Sequence, residues 1–474
     1  MWGGNKNELS RIPRANLKAV DKSKEMIDKQ KLYENAPLWL QNIAVNVEGR
    51  IICKRRYNNH FYDELKRFEE HDYKPAEELR RFLCEIQDVP AYKDIFTSAI
   101  IHDLSKESSD VYAILDNFPI IGKMQVKEHI EDYTNQKYKG KLFTMRTSGT
   151  TGSGLAFPYP VDFENKQWAV WWRFRRLLGI QFDTWCGWFG GKRMMAPNCN
   201  KPPFWRINYP GRQVMYSSYH MTEETIKLFY EDLKERKLEW LHGYPSHIAK
   251  LSALIVDQGL APLTGVKWIT TGAEGLVGNQ IKLIEKAFPE SDIRSHYGQN
   301  EGVAVLNQDA NGEWYVEDDF SYVEFIPLET NLNVCRIVGT GFQNPAFPLI
   351  RYDTGDLATV ERNEDGTIRR IVSIDGRTSN TVKQPSGHEI SEAALSIVLH
   401  DFDNIKEAQF HQIAIGEVVL WVVKGLHYSD KDELHLKEAL YKAFDRGMKI
   451  SLKYVEAVER TKAGKLRLII TEMK

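Results

Sequence analysis

Arg146-Thr147-Ser148-Gly149-Thr150-Thr151-Gly152-Ser153-Gly154 packs three glycines and five hydroxyl side chains into nine positions. In such a loop backbone N–H groups approach an anion closely and the hydroxyls donate further hydrogen bonds, which is what a polyphosphate needs. The same composition suits a flexible surface loop. It is not a Walker loop, because no GxxxxGK[ST] occurs anywhere in the chain. Taken alone, the stretch leaves both readings open.

Downstream, strands and helices alternate. Val266 to Thr270 is a short β-like run, followed by the loop Thr270-Thr271-Gly272-Ala273-Glu274-Gly275. Ile281, Ile284 and Phe288 are spaced for a helix over Val277 to Phe288. Asp292 to Tyr297 reads as another strand, ending in Gly298-Gln299-Asn300-Glu301-Gly302. This order predicts an α/β layer with a site at the strand ends. Glu301, in a glycine-flanked loop, suits either a hard cation beside phosphates or a capped turn. In Pro348-Leu349-Ile350-Arg351-Tyr352-Asp353-Thr354-Gly355-Asp356, Asp356 suits a ribose diol or a turn. The basic run Arg460 to Arg467 is either a solvated face or a lysine delivered to an anionic centre.

Working outward, 474 residues allow about two to four domains at ~150 residues each. Asp63 to Ile86 carries Leu65, Phe68, Leu79, Phe82 and Leu83 among dense charges, as an amphipathic helical region does. A boundary near Asp375-Gly376-Arg377 leaves 99 residues to Lys474. There we expect helices over Ser391–Phe402 and Lys431–Met448 and strands over Glu417–Val423 and Leu452–Ala457, enough for a small α+β domain. The formal charge is −2, giving no electrostatic reason to expect nucleic acid or an anionic membrane. No apolar run approaches ~18 residues, so no membrane span is expected. The first thirty residues lack the apolar core of a signal peptide. Five scattered cysteines form no CxxC pair and indicate neither a disulfide framework nor a zinc ribbon. A cytoplasmic, soluble protein is the expectation.

In combination the loops carry more than each does singly. TSGTTG, TGAE, YGxxE, YxTGD, a GRxxxxxK segment and a late GK occur in this order between Lys141 and Arg467. The chain resembles the adenylate-forming superfamily of acyl-CoA synthetases, peptide-synthetase adenylation domains and luciferases. Within it, His242-Gly243-Tyr244-Pro245-Ser246, Thr270 to Glu274 and the PLIRY lead-in to Asp356 are similar to the phenylacetate-CoA ligase and CapK-like branch. The resemblance implies a large α/β N-terminal domain with mixed sheets, residues 1–375, whose first 130 residues are a mostly helical lead-in. It implies a small, mobile α+β C-terminal domain, residues 376–474.

It also implies roles. Ser148, Gly149, Thr150, Thr151 and Gly152 would wrap the phosphates of ATP. Gly272, Ala273 and Glu274 would line the adenine and acyl-adenylate pocket, with Tyr297 and Gly298 beside the base. Glu301 would bind Mg²⁺, and Asp356 would take the ribose hydroxyls, helped by Arg377. Lys465 would reach the carboxylate and α-phosphate. Tyr219, His220 and Tyr244 are the candidates for the acyl pocket wall, within a segment whose many aromatics suit core as well as pocket.

The implied activity is ATP- and Mg²⁺-dependent activation of a small carboxylic acid as acyl-adenylate, with release of pyrophosphate and transfer to CoA or a carrier-protein thiol. The competing readings are transfer to an amine or hydroxyl of a sugar or amino acid, and a non-catalytic nucleotide-binding relative. Intact Glu301, Asp356 and Lys465 weigh against the last. Three departures stand out. Gly154-Leu155-Ala156 follows Ser153, so the loop lysine common in the superfamily is missing and Lys465 is the only motif lysine. Ser379 stands where the hinge often has a charge, and Gly387 comes one place late after Lys383, so domain rotation and the CoA step are expected to differ.

Overall fold

The computed structural model describes residues 30–147, 154–276, 278–329, 331–377, 381–461 and 464–473. Ser148 through Gly152 therefore lie outside the described residues, as does Ser379.

The described part of the lead-in is helical, with helices at Leu38–Arg56, Asn59–Glu69, Pro75–Glu85, Ser98–Leu104, Val111–Leu115 and Lys123–Glu128. The amphipathic stretch Asp63 to Ile86 is spread over two helices, Asn59–Glu69 and Pro75–Glu85. His71, with φ of 52°, and Pro75 at the next helix start break it, because a left-handed residue cannot continue a right-handed helix. The apolar faces are buried: Phe61, Leu65, Phe68, Leu79, Phe82 and Leu83 are each at most 3% exposed.

Behind the lead-in runs a 13-stranded mixed sheet. Its parallel part contains Cys186–Phe189, Gln213–Tyr216, Trp240–Gly243, Trp268–Thr271 and Asp292–Gly298. Helices Pro245–Asp257 and Gly278–Ala287 alternate with these strands, as the sequence rhythm predicts. The antiparallel part is built on long strands Asn331–Gly341, Leu349–Arg362 and Ile368–Arg377. Because parallel strands need crossovers, the loops at their carboxyl ends gather on one edge, and Gly272–Glu274 and Gln299–Glu301 both fall there.

The C-terminal part has its own core. Strands Lys449–Tyr454, Glu417–Lys424, Ile405–Ala414 and Ile469–Thr471 form a four-stranded sheet in that order. Helices Glu392–Val398 and Asp430–Ala443 bury Leu395, Leu436 and Leu440 against Phe410, Val418 and Leu420. The helix ends at Ala443, short of the expected Met448, and the strand expected from Leu452 starts three residues early at Lys449. Phe444 is extended and Gly447 takes φ of 105°, so the chain turns while Phe444 and Met448 stay buried. The architecture is thus a large mixed α/β part with a smaller C-terminal part carrying a separate sheet. Strand Ile368–Arg377 runs through the expected boundary, and its Asp375 side chain accepts hydrogen bonds from Thr359 and Ser373.

Candidate active site

The hydroxyl- and glycine-rich loop is closed by a hairpin. Leu142–Arg146 pairs antiparallel with Ala156–Pro160. Thr147 N–H donates to the Leu155 carbonyl at 2.9 Å, and Leu155 N–H donates to Thr147 Oγ1 at 2.9 Å. Both ends of the candidate phosphate loop are therefore fixed. Asn300 Nδ2 donates to the Arg146 carbonyl at 3.2 Å, which ties the hairpin to the Glu301 loop.

Glu301 is 7% exposed. Its turn depends on Gly302, at φ of 66°, where a Cβ would stand 2.6 Å from the Phe163 ring. Beside it is a lysine that no motif signals. Ile121–Gly122 pairs parallel with Tyr352–Asp353, and the chain then delivers Lys123 between the two loops. Lys123 Nζ lies 3.1 Å from Thr147 Oγ1 and 3.9 Å from Glu301 Oε1. Sequence reasoning missed it because its partners are 24 and 178 residues away, with no local pattern linking them. Among the described residues no three or more His, Cys, Asp or Glu side chains gather to hold a metal. One buried carboxylate suits Mg²⁺ that arrives on the phosphates of ATP, since Mg²⁺ retains waters and phosphate ligands.

Tyr297 and Asp356, expected beside the base and the ribose, are in direct contact. The Tyr297 hydroxyl donates to Asp356 Oδ2 at 2.8 Å. Burial, and next the Asp356 charge, push the Tyr297 phenol well above its ordinary range, so it remains a donor. Asp356 stands opposite Arg377 in the strand register, and Gly355 at φ of 74° makes the turn that presents it.

The Gly272-Ala273-Glu274 loop meets the C-terminal segment. Gly272 lies against the His296 ring, 2.5 Å from where a Cβ would be. Ala273 takes φ of 70°, a left-handed conformation costing a non-glycine residue about 1–2 kcal/mol. The strained turn aims Glu274 at two backbone donors. Glu274 Oε2 accepts from Ser246 N–H at 3.2 Å, at the N-terminus of Pro245–Asp257, and Oε1 accepts from Leu466 N–H at 2.7 Å. Burial nevertheless raises the Glu274 carboxyl above its usual range, with Ser246 and Arg460 opposing.

Around Glu274 the two parts interlock. His247 places Nδ1 3.0 Å from the Phe189 carbonyl and Nε2 3.0 Å from the Gly464 carbonyl. Burial holds this imidazole down at about 4. Arg460 donates to Ser246 Oγ at 2.8 Å and pairs with Glu407. Lys465 Nζ lies 5.6 Å from the centre of the Tyr244 ring. Tyr219 Oη is 3.4 Å from the Cβ position of Gly464. His220, the next residue, faces the other way. It stacks on Phe204 at 5.0 Å and its Nδ1 is 2.7 Å from Ser217 Oγ, in the core under the sheet. Tyr219 and Tyr244 thus border the Lys465 segment, and His220 does not.

The C-terminal part is also held by charge. Lys406 reaches Asp257 at 2.6 Å and Glu223 at 2.9 Å, while Lys282 and Lys286 reach Asp401 and Asp403.

Residues 382–472 match the family model for the CapK C-terminal domain. The chain is 27% identical to Protein CapK of Staphylococcus aureus over 453 residues, covering 94% of this chain and 99% of that one. The structure is similar to 2-hydroxyisobutyryl-CoA ligase in the postadenylation state in complex with 2-HIB-AMP, with a TM-score of 0.62 at 16% identity over 84% of this chain and 89% of that one. It is similar to the anthranilate CoA ligase AuaEII in complex with anthranoyl-AMP, with a TM-score of 0.51 at 11% identity over 70% and 67%. Among the described residues no helix is long and apolar enough to cross a membrane. The chain therefore has the fold of these adenylate-forming CoA ligases, carries a CapK C-terminal domain over residues 382–472, and is similar over nearly its whole length to Protein CapK.

Proposed function

We propose that this protein activates a carboxylic acid as its acyl-adenylate, using MgATP and releasing pyrophosphate, and then passes the acyl group to CoA or a carrier thiol. The observation that carries the reading is the docking of Gly464–Leu466 onto Glu274, His247 and Tyr244. It supports a reaction centre completed by a lysine from the C-terminal part.

A carboxylate oxygen attacks the α-phosphorus, a P–O bond forms, and the bond to the β-phosphate oxygen breaks. The nucleophile is already an anion at neutral pH, because an ordinary carboxyl group titrates near pH ~4, so no general base is needed. What must be supplied is positive potential for charge building on the oxygens. Lys465 would meet the carboxylate and α-phosphate. Lys123 would act from the side of the Ser148–Gly152 loop and fill the role of the missing loop lysine. Glu301 would hold Mg²⁺ of the incoming MgATP. Asp356 would accept the ribose hydroxyls while Tyr297 fixes its carboxylate. Carboxylate-dependent exchange of pyrophosphate into ATP tests this, and no exchange with any acid would leave a nucleotide-binding relative. Product analysis with CoA against amines and alcohols identifies the acceptor.

A further inference from the structure

Near Gly272 lies a buried cation that the adenylation chemistry does not use. Arg175 sits near the end of helix Val161–Leu177 and is only 6% exposed. Its guanidinium lies over the Trp168, Trp172 and Trp240 rings at 5.5, 5.1 and 5.2 Å. Among the described residues no carboxylate pairs with it and no side chain or carbonyl accepts from it. Arginine stays charged even when buried, and buried cations are normally paired. The neighbouring Arg173 shows the ordinary solution on the same helix, held by Glu317 and Asp319.

The imidazoles near Arg175 supply no negative charge. His242 and His296 stack at 5.7 Å, and His296 is 5.9 Å from Trp171. Burial and then the Arg175 charge hold both imidazoles low, His296 at about 4, so neither supplies a counter-charge. The Trp171 indole N–H is buried and has no partner among the described residues. It lies 3.8 Å from the Cβ position of Gly298, beside the nucleotide loop. An uncompensated guanidinium and an orphan N–H thus belong to residues one turn apart on helix Val161–Leu177, among aromatic rings.

We infer that the acid activated here carries a second anionic group, a distal carboxylate or its equivalent on an apolar or aromatic body, and that Arg175 pairs with it. The aromatic rings receive the body and desolvate the pair. This rests on the adenylation reading, since it assumes that the first carboxylate faces the α-phosphate. Arg175 is then a specificity-determining residue rather than a catalytic one.

The test uses matched acids, terephthalate against 4-methylbenzoate and adipate against hexanoate. Each is measured in pyrophosphate exchange and, without ATP, by tryptophan fluorescence and thermal shift. In the wild type one dicarboxylate is expected to exceed its partner by at least 50-fold in kcat/KM and to shift the melting temperature alone. Arg175→Met should abolish that preference while keeping activity on the monocarboxylate, and Arg175→Lys should restore part of it. Wild-type preference for the monocarboxylates, or equal losses for both acids in Arg175→Met, would overturn the inference and leave a structural cation. If Arg175→Met does not fold, the wild-type preference decides alone. Dicarboxylate binding without exchange would instead sink the adenylation reading and keep this one.

Discussion

The Glu274 carboxylate accepts the backbone N–H of Leu466 at 2.7 Å, across 192 residues of sequence. Its other oxygen takes Ser246 N–H at 3.2 Å, so one side chain caps a helix of the large part and grips the loop carrying Lys465. A charge-assisted hydrogen bond is worth roughly 1.5–3 kcal/mol. Glu274→Ala should therefore shift the docking equilibrium about tenfold or more toward an undocked form. Limited proteolysis between Asp375 and Asn380, with and without ATP, Mg²⁺ and an acyl-adenylate mimic, reads it out. Unchanged cleavage in the variant would show that this contact does not hold the segment.

Lys465→Ala should lower adenylate formation by ~10²–10³ while ATP binding survives, because the lysine would meet charge that develops in the transition state. Single-turnover formation of acyl-adenylate measures it. A near wild-type rate would remove Lys465 from the reaction centre.

Lys123→Ala should also depress adenylation. Its ammonium lies 3.9 Å from Glu301 and 3.1 Å from Thr147, at the closed mouth of the phosphate loop. The drop should be smaller than for Lys465, about tenfold, and should include a rise in KM for ATP, since a cation near the β- and γ-phosphates contributes to ground-state binding too. A change in KM for the acid alone would contradict the placement.

Asp356→Ala should weaken ATP far more than the acid, losing ribose hydrogen bonds of roughly 1.5–3 kcal/mol each. Tyr297→Phe should have a milder effect in the same direction, because it removes the 2.8 Å bond that orients Asp356 and leaves the carboxylate in place. Calorimetric titration with nucleotide checks both, and equal affinity in wild type and Asp356→Ala would exclude the ribose role.

Acid should loosen the docked segment. His247 is held at about 4 where it contacts the Gly464 carbonyl, chiefly by burial and next by Arg460. Freed into water it would return to about 6.5. Between those values the undocked form binds more protons, so docking weakens as pH falls from about 6.5 toward 4 and is fully favoured above it. Inter-domain fluorescence transfer across this range should show the loss, and His247→Gln should flatten it. A profile with the same slope in the variant would assign the titration elsewhere.

Much of this site was legible in the chain because its loops are glycine turns at strand ends, and turns of that kind need particular residues at particular spacings. Gly302 and Gly355 take the positive φ that such turns need. Trp268–Thr271 and Asp292–Gly298 were expected as strands from the sequence, and the C-terminal part was expected as a separate unit. Contacts made by single side chains across hundreds of residues leave no such trace. Lys123 reaches Glu301 only because Ile121–Gly122 pairs with Tyr352–Asp353. His220 turns into the core while its neighbour Tyr219 faces Gly464, a choice between adjacent residues that periodicity cannot make in a 3₁₀ turn. Arg175 looked like any basic residue late in a helix, where a charge favours the dipole. Only the packing of three tryptophans around it, with no acid in reach, gives it a different meaning.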